Sequence, residues 1–408
     1  MRVAIVGAGV SGLTCAHVLH RRHEITLFEA ERRLGGHTNT VRVDLADETH
    51  HVDTGFIVHN DRNYPRFTRL LRELGIATQP SEMSFSVSDG GTFEYNGASP
   101  NGLFACRSHL VRPSFHRMLR DLLRFNREAP ALVAVGGSGP SLGAFLDAGG
   151  YSREFVDRLI VPQASAVWSA DPAQMWDLPA RFLAEFFDNH GMFALRGRPR
   201  WRTITGGAKT YVDALVAPFA DRIRTATPIR AIRRKDDAVE LVPERGEAEC
   251  FDAVVIATHS DQALALLADA TTREREILGA IPYQPNAAVL HTDRRQLPRR
   301  RRAWASWNFH LEDEPADRTT VTYHMNRLQS LRSRRELCVT LNRTDRIDPA
   351  SVIATIPYAH PVFTRAGVAA QRRWHEISRD RTHYCGAYWG FGFHEDGVAS
   401  ALKVCEAL

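Results

Sequence analysis

Lysine is scarce in this chain of 408 residues, and long apolar runs and paired cysteines are absent from it. No apolar run approaches the ~18–20 residues that a membrane-spanning helix needs, so no such helix is predicted. The six cysteines are scattered, with no C-x-x-C pair and no metal-ligand spacing, which favours a reducing compartment over a disulfide scaffold. His50 and His51 also lack partners at metal spacing, and we predict no metal site.

The charge balance bounds the partners that the chain can have. A formal net charge of +5 accompanies 44% hydrophobic and 24% charged residues, yet no nucleic-acid-binding motif goes with it, so nucleic acid is not expected as a partner. The basic excess fits an anionic partner, such as a membrane surface or an acidic carrier protein. A strand predicted from Arg2 leads straight into glycines, so a secretory signal is not expected there. We expect a cytoplasmic protein, or one peripheral to a membrane.

A glycine-rich turn follows the first predicted strand. The sequence VAIVGAGVSGL places Gly7, Gly9 and Gly12 in a G-x-G-x-x-G motif between a strand and a helix. In such motifs the first glycine permits a tight turn, the second lets a pyrophosphate approach, and the third allows close packing of helix on strand. Glu29 ends the next predicted strand (Glu24–Phe28), where a carboxylate binds ribose hydroxyls. The pattern predicts a dinucleotide-binding Rossmann-like unit.

A second glycine turn and an arginine bear on which dinucleotide cofactor is bound. Past Glu29 the chain reads EAERRLGGHTNT, with Arg33, Gly36 and His37. The two motifs together resemble the opening of the flavin-containing amine oxidase and phytoene desaturase superfamily, which binds FAD. The resemblance implies that the following residues contact FAD: Gly7, Gly9, Gly12, Glu29, Arg33, Gly36, His37, Asp53 and Gly55 (from the VDTGF segment), and Gly386 and Gly392 near the C-terminus.

The resemblance continues along the whole chain. RPRWRTITGGAKTYV resembles the family's return to the FAD domain, and GAYWGFGFHEDGVASALKV resembles its last glycine turn and helix. With YQPNAAVLHTD and WASWN, the pattern is most similar to a bacterial branch of FAD-binding, amine-oxidase-like proteins. That branch is also similar to the flavoprotein-like region of plant cyclopropane fatty acid synthases.

These observations predict an α/β fold of two domains, as the length also suggests. A strand is expected at Arg2–Val6 and another at residues 251–257, with a β-meander between residues 225 and 250. We predict a discontinuous, three-layer Rossmann-like FAD domain from residues 1–75, 198–265 and 376–408. An inserted α+β substrate domain would take residues 76–197 and 266–375.

Two features depart from the amine oxidase pattern. The acid that usually follows the C-terminal glycine is replaced by Ala387, so backbone groups near residues 392–397 are expected to meet the cofactor instead. The lysine that amine oxidases commonly place near the flavin is missing, because none lies between Lys235 and Lys403. An aromatic cage for a neutral amine has only Trp389 or Phe393 as candidates.

The resemblance therefore implies FAD-dependent dehydrogenation or desaturation of a hydrophobic substrate, by hydride transfer to flavin N5. The best candidate is an unsaturated or methyl-branched fatty acyl chain of a lipid. His394 is the expected base and Glu395 the second choice, although His394 could be structural and Glu395 a helix cap. One alternative is an amine oxidase that uses oxygen. Another is a non-catalytic FAD-binding partner of a lipid methyltransferase.

Several other residues have both a functional and a structural interpretation. A basic amphipathic helix is predicted over Pro113–Glu128, either roofing the substrate domain or lying on a membrane. The remaining candidates for the substrate cavity or a phosphate headgroup are His59, Asn60, residues 189–191, Trp168, Trp304, Trp307 and the arginine run 299–302.

Overall fold

The structure, a computed structural model, describes residues 1–46, 48–134, 139–194, 197–312 and 318–408. In chain order the strands are β1 (Arg2–Val6), β2 (Glu24–Phe28), β3 (Thr40–Leu45), β4 (Glu48–Asp53), β5 (Thr78–Pro80), β6 (Phe85–Ser88), β7 (Glu94–Asn96), β8 (Arg202–Ile204), β9 (Ile223–Arg224), β10 (Ile229–Arg234), β11 (Val239–Pro243), β12 (Glu249–Phe251), β13 (Ala253–Ile256), β14 (Tyr283–His291), β15 (Trp307–His310), β16 (Val321–His324), β17 (Cys338–Leu341), β18 (Val352–Pro361) and β19 (Thr382–Tyr384).

The helices connect these strands or cover them. They are α1 (Val10–Leu19), α2 (Pro65–Glu73), α3 (Pro100–Leu103), α4 (Pro113–Glu128), α5 (Ala131–Ala134), α6 (Leu142–Ala148), α7 (Arg153–Phe155), α8 (Val161–Trp168), α9 (Ala180–Asn189), α10 (Lys209–Val216), α11 (Ser260–Leu266), α12 (Thr272–Leu278), α13 (Met325–Leu328), α14 (Arg365–Gln371) and α15 (His394–Ala407). Within these described helices, none is long and apolar enough to cross a membrane.

A five-stranded parallel sheet is assembled from distant parts of the chain, in the order β19-β13-β1-β2-β9. Alternate side chains of a strand point to opposite faces, and here both faces are covered. Val3 and Ile5 pack in one buried cluster with α1, α10 and α15, whereas Ala4 and Val6 pack in a second cluster with α11 and α12. The sheet is therefore the middle of three layers.

One strand prediction needs a correction. Residues 251–257 do not form a single strand, because β12 ends at Phe251 and β13 begins at Ala253. Phe251 pairs antiparallel with Val239, and Ala253 pairs parallel with Val3, so the chain changes sheet at Asp252. The carboxylate of Asp252 accepts a hydrogen bond from the Arg2 N–H at 2.7 Å, which holds the chain in place where it passes from one sheet to the other. The predicted meander is confirmed as the sheet β10-β11-β12.

The second large sheet has seven strands in the order β18-β14-β17-β16-β15-β6-β7 and is mixed, because β15 pairs parallel with β6 while its other pairings are antiparallel. Helices α4 to α9 pack with this sheet around one large apolar cluster. The predicted fold class, a parallel-sheet cofactor domain with an inserted mixed-sheet domain, is confirmed.

The exact domain bounds stay a prediction. Helices α12 and α14 fall in segments assigned to the substrate domain, yet Ile277, Leu278 and Ala370 pack in the apolar cluster against the parallel sheet. Two excursions of the chain, through α2–α9 and through β14–β18, carry most of the mixed-sheet domain. The turns after β1 and β2 lie at the carboxyl edge of the parallel sheet, where ligands bind in open α/β sheets.

Candidate cofactor and substrate site

The first glycine turn joins β1 to α1. Gly7 has a positive φ of +102°, and a β-carbon on Gly12 would lie 1.9 Å from the Gly7 carbonyl oxygen. Gly9 differs, since a β-carbon there would meet no atom within 4 Å. Helix α1 has no capping side chain and no acidic residue in its first turn, so its N–H groups and positive dipole end face this open space. The turn therefore provides free backbone N–H donors and the positive end of a helix dipole, which together bind a phosphate.

The second glycine turn lies directly against the first. The Gly35 N–H donates to the Ala8 carbonyl oxygen at 2.8 Å, and a β-carbon on Gly36 would come within 3.1 Å of the Gly9 Cα. The Arg33 guanidinium donates to three carbonyl oxygens of this turn, those of Leu34, Gly36 and Thr38, at 3.2, 2.7 and 2.9 Å. Arg33 thus holds the backbone of the second turn in place.

The carboxylate of Glu29 is oriented by two backbone N–H groups. Its Oε2 accepts from the Ala8 N–H at 2.7 Å and its Oε1 accepts from the Glu31 N–H at 2.9 Å. These bonds hold the carboxylate at the carboxyl end of β2, beside the first glycine turn. A carboxylate in this position can accept from ribose hydroxyls.

The N-terminus of α15 meets the N-terminus of α1. A β-carbon on Gly397 would lie 2.7 Å from Val10 and 3.0 Å from the Ser11 hydroxyl. Before α15, Gly386 packs so tightly that a β-carbon would lie 2.2 Å from the Tyr388 ring, and Gly392 has a φ of +92°. We call the two glycine turns (residues 7–9 and 35–36) and the N-termini of α1 and α15 the cofactor cradle.

Asp53 and Gly55, at and just after the end of β4, make close contacts with other parts of the protein near the second glycine turn. The buried carboxylate of Asp53 accepts from the Thr40 hydroxyl (2.5 Å), the Ala208 N–H (2.9 Å) and the Gln329 amide (2.8 Å). Burial raises the pKa of Asp53 to about 7. A β-carbon on Gly55 would lie 2.2 Å from the His37 carbonyl oxygen. The hydrogen bonds of Asp53 tie β4 to the turn before α10, and the expected contact of Asp53 with the flavin stays a prediction.

A histidine and tyrosine cluster, absent from the sequence expectations apart from His37, lies where β18 approaches the second glycine turn. The His37 ring stacks on Tyr358 at 4.9 Å and lies 5.2 Å from His360 and 5.9 Å from His259. Burial, and after it the neighbouring His360 and His259, lower the pKa of His37 well below its ordinary value. His37 lies more than 200 positions from each of its three partners, so no local pattern could have identified the cluster.

Unpartnered polar atoms test whether this region fits a bound group. The His37 Nε2, both ring nitrogens of His59 and the Asn60 Nδ2 are buried without a hydrogen-bond partner among the described residues. A buried polar group without a partner costs about 1–3 kcal/mol, so such atoms point to a ligand. Together with the open space at Gly9, they fit a polar dinucleotide. Gly9, Gly36, Glu29 and the two helix N-termini would hold it.

The two expected catalytic side chains have other partners. His394 Nε2 lies 2.9 Å from the Thr38 hydroxyl and 3.1 Å from the Tyr211 hydroxyl, and its ring stacks on Phe56 at 3.6 Å. Burial lowers the pKa of His394 to about 3. Glu395 accepts from the N–H groups of Arg66 (3.1 Å) and Phe67 (3.0 Å) at the start of α2. These contacts favour a positioning role for His394 and a capping role for Glu395, in place of the base role expected of each.

A cluster of aromatic side chains adjoins the cradle, and we call it the aromatic wall. Four of its rings are buried, and those of Phe391 and Phe393 are half-buried. Its members share ring contacts within about 6 Å and come from α8, α9 and the segments after β18 and before α15: Trp168, Phe182, Phe186, Phe363, Phe391 and Phe393. The indole N–H of Trp168 donates to the Phe391 carbonyl oxygen at 3.0 Å. Residues 390–393 lead directly into α15, so the wall and the cradle share this loop.

The other candidates from the sequence fall in different places. His190 stacks on Phe186 at 3.9 Å, at the edge of the wall. Trp304 packs in a separate small cluster with Leu297 and Cys338, and Trp307 lies in β15. In the arginine run 299–302, the backbone N–H groups of the first two residues donate to the buried Glu94. Trp304, Trp307 and the arginine run therefore lie outside the wall.

No metal-binding group of three or more His, Cys, Asp or Glu side chains occurs in the described ranges.

Each of the three lysines has a partner outside the cradle. Lys209 pairs with Asp213, Lys235 with Glu240, and Lys403 lies over the Trp374 ring at 3.9 Å. The chemistry of the site therefore falls to imidazole, hydroxyl, carboxylate and backbone groups.

Comparison with known proteins agrees with this geometry. The family of flavin containing amine oxidoreductases matches residues 10–345. An L-amino-acid oxidase of Siganus canaliculatus is 24% identical over 321 residues, which cover 71% of this chain and 56% of that protein. Over the curated relatives that it matches, the chain spans between 8% and 60% of their length.

Two solved structures share the fold. Putrescine oxidase bound to putrescine superposes with a TM-score of 0.71 at 14% identity, over 100% of this chain and 98% of that one. A CLA-producing fatty acid isomerase from P. acnes superposes with a TM-score of 0.66 at 15% identity, over 99% and 98%. Since the family match spans most of the chain and the cradle fits a dinucleotide, the chain belongs to the flavin containing amine oxidoreductase family, with FAD as its cofactor.

Proposed function

We propose that this protein is an FAD-dependent oxidoreductase that dehydrogenates or desaturates a hydrophobic substrate, an unsaturated or methyl-branched fatty acyl chain of a lipid. The observation that carries the proposal is the aromatic wall, which adjoins the cofactor cradle through residues 390–393. All six of its members are aromatic, and its one indole pair, from Trp168 to the Phe391 carbonyl oxygen, is internal. The half-buried rings of Phe391 and Phe393 offer contact area to a substrate and no partner for a charge.

The physical argument concerns desolvation. Burying an alkyl chain gains about 25 cal/mol per Å² of apolar surface removed from water. An ionised ammonium or carboxylate loses its hydration instead, and this loss must be offset by a paired charge or hydrogen bonds. The rings of Phe391 and Phe393 contact Phe182 and Phe186 at 4.8 and 5.3 Å, so a chain lying on the wall meets hydrocarbon. This environment supports an acyl substrate.

Forming a carbon–carbon double bond removes two hydrogens, one with its electron pair and one as a proton. When bound, FAD supplies the acceptor for the electron pair. His394 is tied to the hydroxyls of Thr38 and Tyr211, so we propose that it positions these groups. The proton would pass to the neutral imidazole of His37, whose Nε2 has no hydrogen-bond partner among the described residues. The wall would orient the chain and exclude water from the reacting carbon.

An anaerobic absorbance titration tests the proposal. The FAD-loaded protein is titrated with dispersed phospholipid that carries unsaturated or methyl-branched chains, and we expect the flavin absorbance to bleach. Phe391→Gln should slow the bleaching at least tenfold, because it places a polar amide in the wall. Phe104→Gln, a matched change in a ring outside the wall, should leave the rate unchanged. Equal rates for both variants would remove the wall from substrate binding.

A second candidate is oxidation of an amine or amino acid with oxygen as the acceptor. The family match and the names of the L-amino-acid oxidase and putrescine oxidase favour it. Bleaching by simple amines or L-amino acids alone would establish this candidate and reject the lipid. Bleaching by no substrate class would favour a non-catalytic FAD-binding partner of a lipid methyltransferase, the role suggested by the resemblance to plant cyclopropane fatty acid synthases, which stays a prediction.

A further inference from the structure

We infer that the outer face of α4, with the 3₁₀ turn before it, binds the surface of a membrane that contains anionic lipid. This membrane-facing surface consists of Leu110, Val111, Arg117, Arg120, Leu123 and Arg127, from the turn Arg107–Val111 and the helix Pro113–Glu128. The inference stands apart from the proposed reaction, and its experiment needs no turnover.

Apolar exposure is the first observation. Leu110 is 52% exposed, Val111 83% and Leu123 57%, and these are three of the six large apolar side chains that are exposed in the described part of the chain. Leu110 and Val111 are adjacent in the chain, and exposed apolar side chains that lie together mark interaction surfaces more often than scattered ones do. The buried side of the same helix is already occupied by Phe115, Met118 and Phe125. The exposed apolar groups therefore have no use inside this fold.

Charge is the second observation. Residues 107–128 contain six arginines and two acidic residues, while the whole chain has only five more basic than acidic residues. Arg117 and Arg120 are exposed and have no hydrogen-bond or ion-pair partner among the described residues, and Arg127 reaches only Glu128 at 3.9 Å. The spacing 117, 120, 123 and 127 places these arginines on one face with Leu123. The surface thus presents three positive charges beside Leu123, two of them without a partner among the described residues.

This combination fits a bilayer better than an acidic protein. A helix that lies in the membrane interface buries its apolar groups beneath the headgroups while its arginines meet lipid phosphates. The inner face of α4 is also continuous with the aromatic wall. Phe125 contacts Phe187 of α9 at 6.4 Å, and α9 carries Phe186 of the wall. A membrane bound on this face would therefore lie one helix layer from the candidate substrate site.

Vesicle flotation of the FAD-loaded protein tests the inference. Vesicles of phosphatidylcholine mixed with phosphatidylglycerol should carry the protein upward, those of phosphatidylcholine alone should carry far less, and salt should weaken binding. Arg117→Gln/Arg120→Gln/Arg127→Gln should reduce the partition coefficient about 100-fold, since each basic residue near an anionic surface contributes about fivefold. Val111→Ser/Leu123→Ser should also reduce it, with unchanged salt dependence.

The matched control removes three exposed arginines elsewhere, as Arg230→Gln/Arg346→Gln/Arg379→Gln, and should float like the wild type. An equal loss in this control would show that net charge alone drives binding and would overturn the inference. Failure of the wild type to float, or undiminished flotation of the α4 variant, would overturn it as well. Binding to poly-glutamate without binding to vesicles would reassign this surface to an acidic polypeptide. Circular dichroism and FAD content confirm that every variant is folded.

Discussion

Replacing Gly9 by valine should separate cofactor binding from folding. A side chain at Gly9 meets no protein atom within 4 Å, and its backbone φ of −75° suits any residue. The apoprotein should therefore keep its free energy of unfolding to within about 1 kcal/mol, because the loss of unfolded-state freedom offsets a poorer helix cap. The valine methyl groups project into the space where α1 offers its N–H groups to a pyrophosphate.

The magnitude follows from the bonds that valine blocks. Hydrogen bonds to a charged group contribute about 1.5–3 kcal/mol each, so losing two of them weakens FAD binding by about 3–6 kcal/mol, or ~10²–10⁴-fold. Titration of the apoprotein with FAD, followed by flavin fluorescence, measures the dissociation constant. Urea unfolding without FAD measures stability.

Gly12→Ala is the matched control for this prediction. Its β-carbon would lie 1.9 Å from the Gly7 carbonyl oxygen, so the helix must move and the apoprotein should lose about 1–3 kcal/mol of stability. Normal FAD affinity in Gly9→Val would refute the assignment of Gly9 to the pyrophosphate. A loss of apoprotein stability in Gly9→Val as large as in Gly12→Ala would show that the effect on FAD comes from misfolding.

Three further substitutions test the side chains around the cradle. His394→Ala should cost about 3 kcal/mol of stability while flavin reduction per FAD-loaded molecule stays within about tenfold; a fall of ~10²–10⁴ in stopped-flow reduction would restore the base role. Glu395→Gln should cost about 1–2 kcal/mol in urea unfolding at normal FAD content, because the start of α2 loses a charged cap, and slow reduction at unchanged stability would contradict this. Asp53 has its pKa raised to about 7, so its contribution favours folding at low pH and declines by up to about 4 kcal/mol as pH rises from about 4 to 7. Asp53→Asn should flatten that slope in unfolding curves measured across this range, and an unchanged slope would assign it to another group.

Local patterns were enough to predict the elements around the first glycine turn. The strands Arg2–Val6 and Glu24–Phe28 and the helix Pro113–Glu128 lie where the sequence predicts them. Each has a strong local pattern, either a continuous apolar run or the periodic apolar face of an amphipathic helix. The error at residues 251–257 arose because an apolar run gives no indication that the chain passes from one sheet to another at Asp252.

The roles of individual side chains were harder to predict, because they depend on partners far away in the chain. His394 contacts Thr38 and Tyr211, and Glu395 caps a helix more than 300 residues earlier. The sequence places both residues at the start of the last helix but carries no sign of which way each points. The stacking of His37 on Tyr358 depends on the same kind of distant contact.

The order of the parallel sheet has a consequence for biosynthesis. β1 is synthesised well before its neighbour β13, which ends at Ile256. The other neighbour of β13 is β19 (Thr382–Tyr384), which is synthesised later still. Gly397 then seats α15 against the start of α1. At the ~5–20 residues per second of translation, the first glycine turn waits roughly 20–80 s for this last helix. The cradle therefore cannot enclose FAD before α15 has been synthesised, and FAD enclosure is a late step relative to the folding of the first glycine turn.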